Sequence, residues 1–87
     1  MAYRIEFAPH AERDFRGLSK NIQIRLKPHI DKLAITPRPQ GIEKLSGEDD
    51  LYRIRVGDYR LVYQIQDDVL LVLMVKIGHR REIYRKI

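Results

Sequence analysis

Two short connections do most to limit what this chain can fold into. Gly57-Asp58 and Asp67-Asp68 each separate two runs rich in apolar residues. A two-residue link is too short for a crossover. The runs at about 51–56, 59–66 and 69–77 are therefore expected to be antiparallel neighbours in a meander. Strand side chains point alternately to the two faces of a sheet. In LYRIRV, Tyr52, Ile54 and Val56 share one face, and Arg53 and Arg55 share the other. In YRLVYQIQ, Tyr59, Leu61, Tyr63 and Ile65 oppose Arg60, Val62 and Gln64. If the apolar sets face the core, Arg53, Arg55 and Arg60 are left together on one exposed face. The last run, VLLVLMVKI, is apolar on both faces over most of its length, as a central strand would be. Its two sets are Leu71, Leu73, Val75 and Ile77 against Leu70, Val72, Met74 and Lys76. The lysine assigns the second set to the basic face. An extended chain past Gly78 would keep Arg80 in the same parity.

Upstream, Ala2 to Phe7 alternates, with Tyr3, Ile5 and Phe7 on one side, which predicts a strand with one buried face. Pro9 suits the first turn of a helix, where its missing N–H costs nothing. Ala8, Ala11, Phe15 and Leu18 recur at helical spacing, and Gly17 marks the end. Ser19 or Asn21 can cap a second helix with the stripe Ile22, Leu26, Ile30, Leu33 and Ala34. Pro28 falls inside it and predicts a kink or a late start. TPRPQG, residues 36–41, ends that helix in a loop, and Ser46 to Asp50 is a polar turn. Helices are grouped rather than alternating with strands. The class is thus α+β: a strand, two helices, then a three- to four-stranded antiparallel meander, both helices packed on one face. No repeat or linker divides residues 1–87, so one domain is expected.

Charge points the same way as parity. The net charge is +5, and it is uneven. Residues 1–50 carry 9 Lys/Arg against 8 Asp/Glu, whereas residues 51–87 carry 8 against 4. A basic excess localised around the meander fits an anionic partner. The chain has no cysteine, which excludes disulfides and thiolate chemistry and fits a reducing cytoplasm. MAYRIEFAPH has no apolar signal core, and the longest apolar run, Val69 to Val75, is too short to span a bilayer. No phosphate loop, dinucleotide fingerprint or zinc spacing is present, so no metal or cofactor is expected. His10 and His29 fall on predicted helices as surface residues. His79 sits among arginines at the end of the last strand.

Arginine stays charged and presents a planar fork that matches phosphate oxygens. Several arginines on one face can hold a phosphate backbone and stabilise the extra negative charge of a reacting phosphodiester. Tyr84 adds a phenol able to stack on a base or move a proton. A solvated strand face is the other reading of the same residues.

LYRIRVGDYRLVYQI followed by GHRREIY resembles the RelE/ParE superfamily of toxin–antitoxin toxins. The opening AYRIEFAPHAERDF, KLAITPRP at the end of the second helix and EKLSGEDD before the strands belong to the same match, which covers nearly the whole chain. The resemblance implies a RelE-like fold and a choice of two activities. RelE members are ribosome-dependent endoribonucleases that cut mRNA in the ribosomal A site. ParE members share the fold and inhibit DNA gyrase. Tyr84 tilts the match to RelE.

On that resemblance the catalytic residues are Arg53, Arg55, Arg60, Arg80 and Tyr84. The reaction is metal-independent attack of the ribose 2′-OH on the adjacent phosphate, leaving a 2′,3′-cyclic phosphate and a 5′-OH. Lys76, Arg81, Arg85 and Lys86 are the further cations expected to touch RNA. Well-studied RelE enzymes carry lysines where this chain has Arg53 and Arg55. Arginine does not give up its proton, so His79 or Tyr84 becomes the candidate for proton transfer. The expected partners are a RelB-type antitoxin, forming a hetero-oligomer, and the ribosome with its mRNA. No membrane partner and a cytoplasmic location are expected. A weakly active toxin that mainly binds its antitoxin is a third reading.

Overall fold

The computed structural model describes residues 2–45 and 50–81. The chain runs through β1 (Arg4–Phe7), α1 (Pro9–Arg16), α2 (Lys20–Lys32), β2 (Glu43–Lys44), β3 (Leu51–Val56), β4 (Tyr59–Gln66) and β5 (Leu71–His79). Five strands form one sheet in the order β1-β5-β4-β3-β2. The β3-β4-β5 meander is antiparallel as expected. The sheet as a whole is mixed, because β1 adds to the outer edge of β5 in parallel, with Ile5 opposite Val72. Alternation alone carries no information on strand direction, so that pairing was not readable. β2 is a further departure: Glu43 pairs with Arg53 and Lys44 with Tyr52, adding a strand where only a lead-in to a turn was expected.

Both helices cover one face. Ala11 of α1 and Leu26 and Ile30 of α2, with Leu33 just beyond it, pack against Tyr52, Val56, Leu61, Tyr63, Ile65, Val72, Met74 and Ile77. These strand residues include the apolar sets of β3 and β4 singled out by alternation. Pro9 occupies the start of α1, and Ser19 Oγ accepts the Ile22 amide at 3.4 Å to cap α2. Pro28 does not delay the helix, which is continuous from Lys20 to Lys32. Pro28 and Ile24, whose carbonyl would have received the missing N–H, are both exposed, so the lost bond falls on the solvent side of the helix.

The two connections of the meander differ. Gly57 has φ 60° in the tight turn between β3 and β4, a conformation that favours glycine. The link between β4 and β5 is longer than two residues. Asp67–Val69 form a 3-10 turn, and Leu70 follows at φ 52°.

β5 also corrects the assignment of its faces. Tyr63 pairs with Met74 but Val62 pairs with Lys76, so Val75 is an extra residue on β5. Before this bulge, Val72 and Met74 face the helices, not the basic side. After it, Ile77 does so opposite Leu61, and Lys76 comes to the face of Val62. Lys76 therefore reaches the expected face because the parity flips on the way.

A polar cluster closes the end of the sheet farthest from Gly57. Arg38 donates to both carboxylate oxygens of Asp67, at 3.2 and 2.9 Å, and lies 5.5 Å from the Tyr52 ring centroid. Tyr3 donates to Asp67 at 2.5 Å, and Tyr63 donates to the Pro37 carbonyl at 3.0 Å. Burial pushes the Tyr63 hydroxyl up to about 12. These contacts fasten the 36–41 loop across the ends of β1, β3 and β4.

The Arg38 guanidinium, and after it the Tyr3 hydroxyl, hold the Asp67 carboxyl below the usual carboxylate range. A folded value below the unfolded one stabilises fully above about pH 4, and that stabilisation is lost as the pH falls through the folded value. Asp67→Asn should therefore flatten the fall in melting temperature below about pH 4, and wild type should show the steeper fall. Thermal melts from pH 6 to 2, read by circular dichroism, check this; parallel curves for the two proteins would contradict it.

Candidate nucleic-acid interface

The face of the sheet away from the helices carries the expected arginines. Arg55 stands directly opposite Arg60, and Arg53 opposite Val62. Directly opposed residues of an antiparallel pair share a face. The next strand contributes Lys76 beside Val62 and Gly78 beside Arg60. Gly78 adds no side chain there and is itself buried. Alternation brought these residues to one face; the register shows which of them stand opposite one another.

Their environments are unequal. Arg60 is buried, at 6% exposure, and its Nη1 donates to the Gly57 and Tyr59 carbonyls, both at 3.0 Å. It is part of the Gly57 turn rather than a cation on an exposed face. The Arg53 side chain is mostly covered at 15%, while that of Arg55 is 58% exposed. Both reach one acid that the sequence reading missed: Glu43 Oε1 lies 3.2 Å from Arg53 Nη2 and 3.4 Å from Arg55 Nη2. The signal was weak because Ile42-Glu43-Lys44-Leu45 does not alternate as a strand with one buried face does.

Arg80 lies next to the same turn. β5 stays extended through His79, and Arg80 and Arg81 then turn to helical backbone, which ends the alternation on which its parity rested. The Arg80 amide donates to the Asp58 carbonyl at 2.8 Å. That bond ties Arg80, which is exposed, to the turn that Arg60 braces. Arg81 is exposed beside it.

His79 is not brought to the arginine face. It pairs with Tyr59, meets that ring edge-on at 5.6 Å, and its Nδ1 accepts the Arg81 amide at 3.3 Å. Tyr59 packs with the helix-side core. Tyr84, Arg85 and Lys86 lie outside the described residues.

Lys76 is on the arginine face by register, but its ammonium is committed to α1. Nζ lies 2.8 Å from His10 Nε2 and 3.6 Å from Asp14 Oδ2, with only 11% of the side chain exposed. A lysine ammonium only donates, so the His10 nitrogen accepts. Asp14 also accepts the Ile77 amide at 3.2 Å, fastening α1 to β5 just past the bulge. The expected RNA contact from Lys76 thus gives way to a structural one.

A groove of about 540 Å³ lined by His29, Leu33, Ile35, Pro39 and Ile54 contains none of these arginines. Among the described residues, no helix is long and apolar enough to cross a membrane.

Known proteins share this fold. Residues 5–84 match the family profile described as ParE toxin of type II toxin-antitoxin system, parDE. The chain is 33% identical over 88 residues to the mRNA interferase toxin RelE of Escherichia coli strain K12, covering 97% of this chain and 92% of that relative. The toxin in the crystal structure of the intact E. coli RelBE toxin–antitoxin complex superposes with a TM-score of 0.80 at 31% identity, covering 90% of this chain and 96% of that one. The archaeal RelE–RelB complex from Pyrococcus horikoshii OT3 gives a TM-score of 0.79 at 29% identity, over 92% of this chain and 97% of that one. Fold, basic face and relatives together define a toxin of a type II toxin–antitoxin system. The chain belongs to the RelE/ParE toxin family.

Asp14→Ala should destabilise the fold by about 2 kcal/mol, because it leaves the Ile77 amide without its acceptor and the covered Lys76 ammonium without its carboxylate, with His10 alone beside it. Adding Lys76→Met should recover much of that loss. Urea unfolding of the single and double variants measures both effects; equal stability of wild type and Asp14→Ala would show that the lysine needs no carboxylate beside it.

Proposed function

We propose that this toxin is a ribosome-dependent endoribonuclease that cuts mRNA in the ribosomal A site and so stops translation. The observation that carries this reading is the direct opposition of Arg55 and Arg60 on the face away from the helices, with Arg53 beside them and Arg80 tied to the same turn. The mRNA interferase named among its relatives supports it. Metal-independent transesterification needs a frame of fixed positive charge around the phosphate. Arg60, held by two carbonyls, supplies a cation that does not have to reorganise during the reaction. Arg55 and Arg80 reach outward and bind the incoming backbone. Arg53 braces Arg55 through Glu43 and faces the same phosphate. Tyr84 completes the site by orienting the nucleotide, on the strength of the family resemblance, and Arg81, Arg85 and Lys86 add contacts to RNA.

The partner that restrains this activity is proposed to be a RelB-type antitoxin. The neighbours solved as RelB–RelE complexes support that reading. The matching family profile is a ParE one, and the resemblance to ParE members implies a second activity, inhibition of DNA gyrase.

Expression without antitoxin should arrest growth, and primer extension should map new mRNA ends within codons in the A site. Arg55→Ala and Arg80→Ala should each lower cleavage by about 100-fold, and because both side chains are exposed the fold should be retained. Arrest with intact mRNA, together with inhibition of purified gyrase in a supercoiling assay, would replace this reading with the second one.

A further inference from the structure

We propose that Glu43 is the proton acceptor that activates the ribose 2′-hydroxyl. This rests on the reading of the arginine face as an RNA-cutting site and names a residue which that reading leaves without a role in the chemistry. Attack on the phosphate requires the 2′-hydroxyl to lose its proton. Arginine has no acceptor at all. The Lys76 ammonium is likewise donor-only and is bound to Asp14 and His10. His79 pairs with Tyr59 on the helix-side face, and its Nδ1 already accepts the Arg81 amide.

Two carboxylates of β-strands share the arginine face among the described residues. Glu6, opposite Leu73, is on β1, three strands away from β3 at roughly 5 Å per strand, and is held by Arg4 at 2.7 Å. Glu43 is on β2, directly opposite Arg53.

The geometry of Glu43 suits the role. The shortest contact from each guanidinium falls on Oε1, at 3.2 Å to Arg53 and 3.4 Å to Arg55, so Oε2 is the oxygen farther from both. The side chain is 43% exposed, enough for a ribose to reach it. Each contact uses one Nη2, and Arg55 keeps Nε and Nη1 for a phosphate. One guanidinium thereby holds the acceptor and the phosphate side by side.

The step then balances. The 2′-hydroxyl proton passes to Glu43 Oε2 as the bond between the 2′-oxygen and phosphorus forms. The bond from phosphorus to the 5′-oxygen breaks, its electron pair stays on that oxygen, and the oxygen takes a proton from water. Glu43 returns its proton to solvent. The arginines around it change neither charge nor protonation.

The test is single-turnover cleavage by the purified full chain on ribosomes programmed with a defined mRNA, measured across pH. Glu43→Gln keeps the shape and one oxygen but cannot take the proton. It should cut at least about 100-fold more slowly, bind ribosomes as wild type does, and lose the fall in rate that wild type shows toward acid pH. Glu43→Asp should retain part of the rate together with that acid limb. If Glu43→Gln melts early, the Glu43→Asp profile decides: a retained acid limb with a slower rate supports the proposal, and a wild-type rate and profile contradict it. A Glu43→Gln variant that cuts as fast as wild type, or faster, with the same pH profile would make Glu43 a mere counter-ion and overturn the proposal. Wild type that leaves ribosomal mRNA intact would instead overturn the underlying reading of the site, and the two failures are thereby distinguished.

Discussion

The apolar seam between the two helices and one face of the sheet is the constraint on which the arginine face depends. Leu26, Ile30 and Leu33 meet Leu61, Tyr63, Ile65, Val72 and Met74 there with almost no exposure. Burying an aliphatic side chain of this size contributes about 1.5–3 kcal/mol. A one-residue slip of β3 or β4 would send Arg53, Arg55 and Arg60 into that seam and turn Tyr52, Leu61 and Tyr63 to water. The core therefore fixes the position of the cations without touching them. The Gly57 turn then fixes their spacing, because it sets Arg55 opposite Arg60.

Much of this was legible because a strand with one buried face writes its orientation into alternate residues. The faces of β3 and β4 followed from LYRIRV and YRLVYQIQ alone. β5 was harder for a physical reason. Apolar residues on both sides leave no contrast, and the extra residue Val75 shifts the parity with no glycine or proline to announce it. Pairing of β1 beside β5 was equally silent, since an edge strand can join in either direction. Glu43 and Asp14 were missed because each gains its meaning from a partner far along the chain, Arg53 and Lys76 respectively. His79 was singled out by its proximity in sequence to Arg80; its strand position turns it to Tyr59.

A net charge of +5 overstates the cations available to an anionic partner at this face. Lys76 is used to fasten α1, and Arg60 is built into the turn. Among the described residues, Arg55 is exposed on this face, and Arg80 and Arg81 are exposed just past the end of β5. This division of labour suits phosphoryl chemistry. Buried, fixed charge stabilises a transition state because it is already oriented, while exposed charge captures the polymer and is screened by salt. Replacing lysine by arginine at 53 and 55 fits the same scheme, provided that proton transfer is handled by another group.

The proposed chemistry stands or falls on the ribose 2′-oxygen as nucleophile. The most direct measurement uses ribosomes programmed with an mRNA carrying a single 2′-deoxynucleotide immediately 5′ of the scissile phosphate. The mechanism requires that this mRNA stay intact while its all-ribose counterpart is cut. Cleavage of both at the same rate would mean that the phosphate is attacked by some other oxygen, and the role assigned to the arginine face would have to be abandoned.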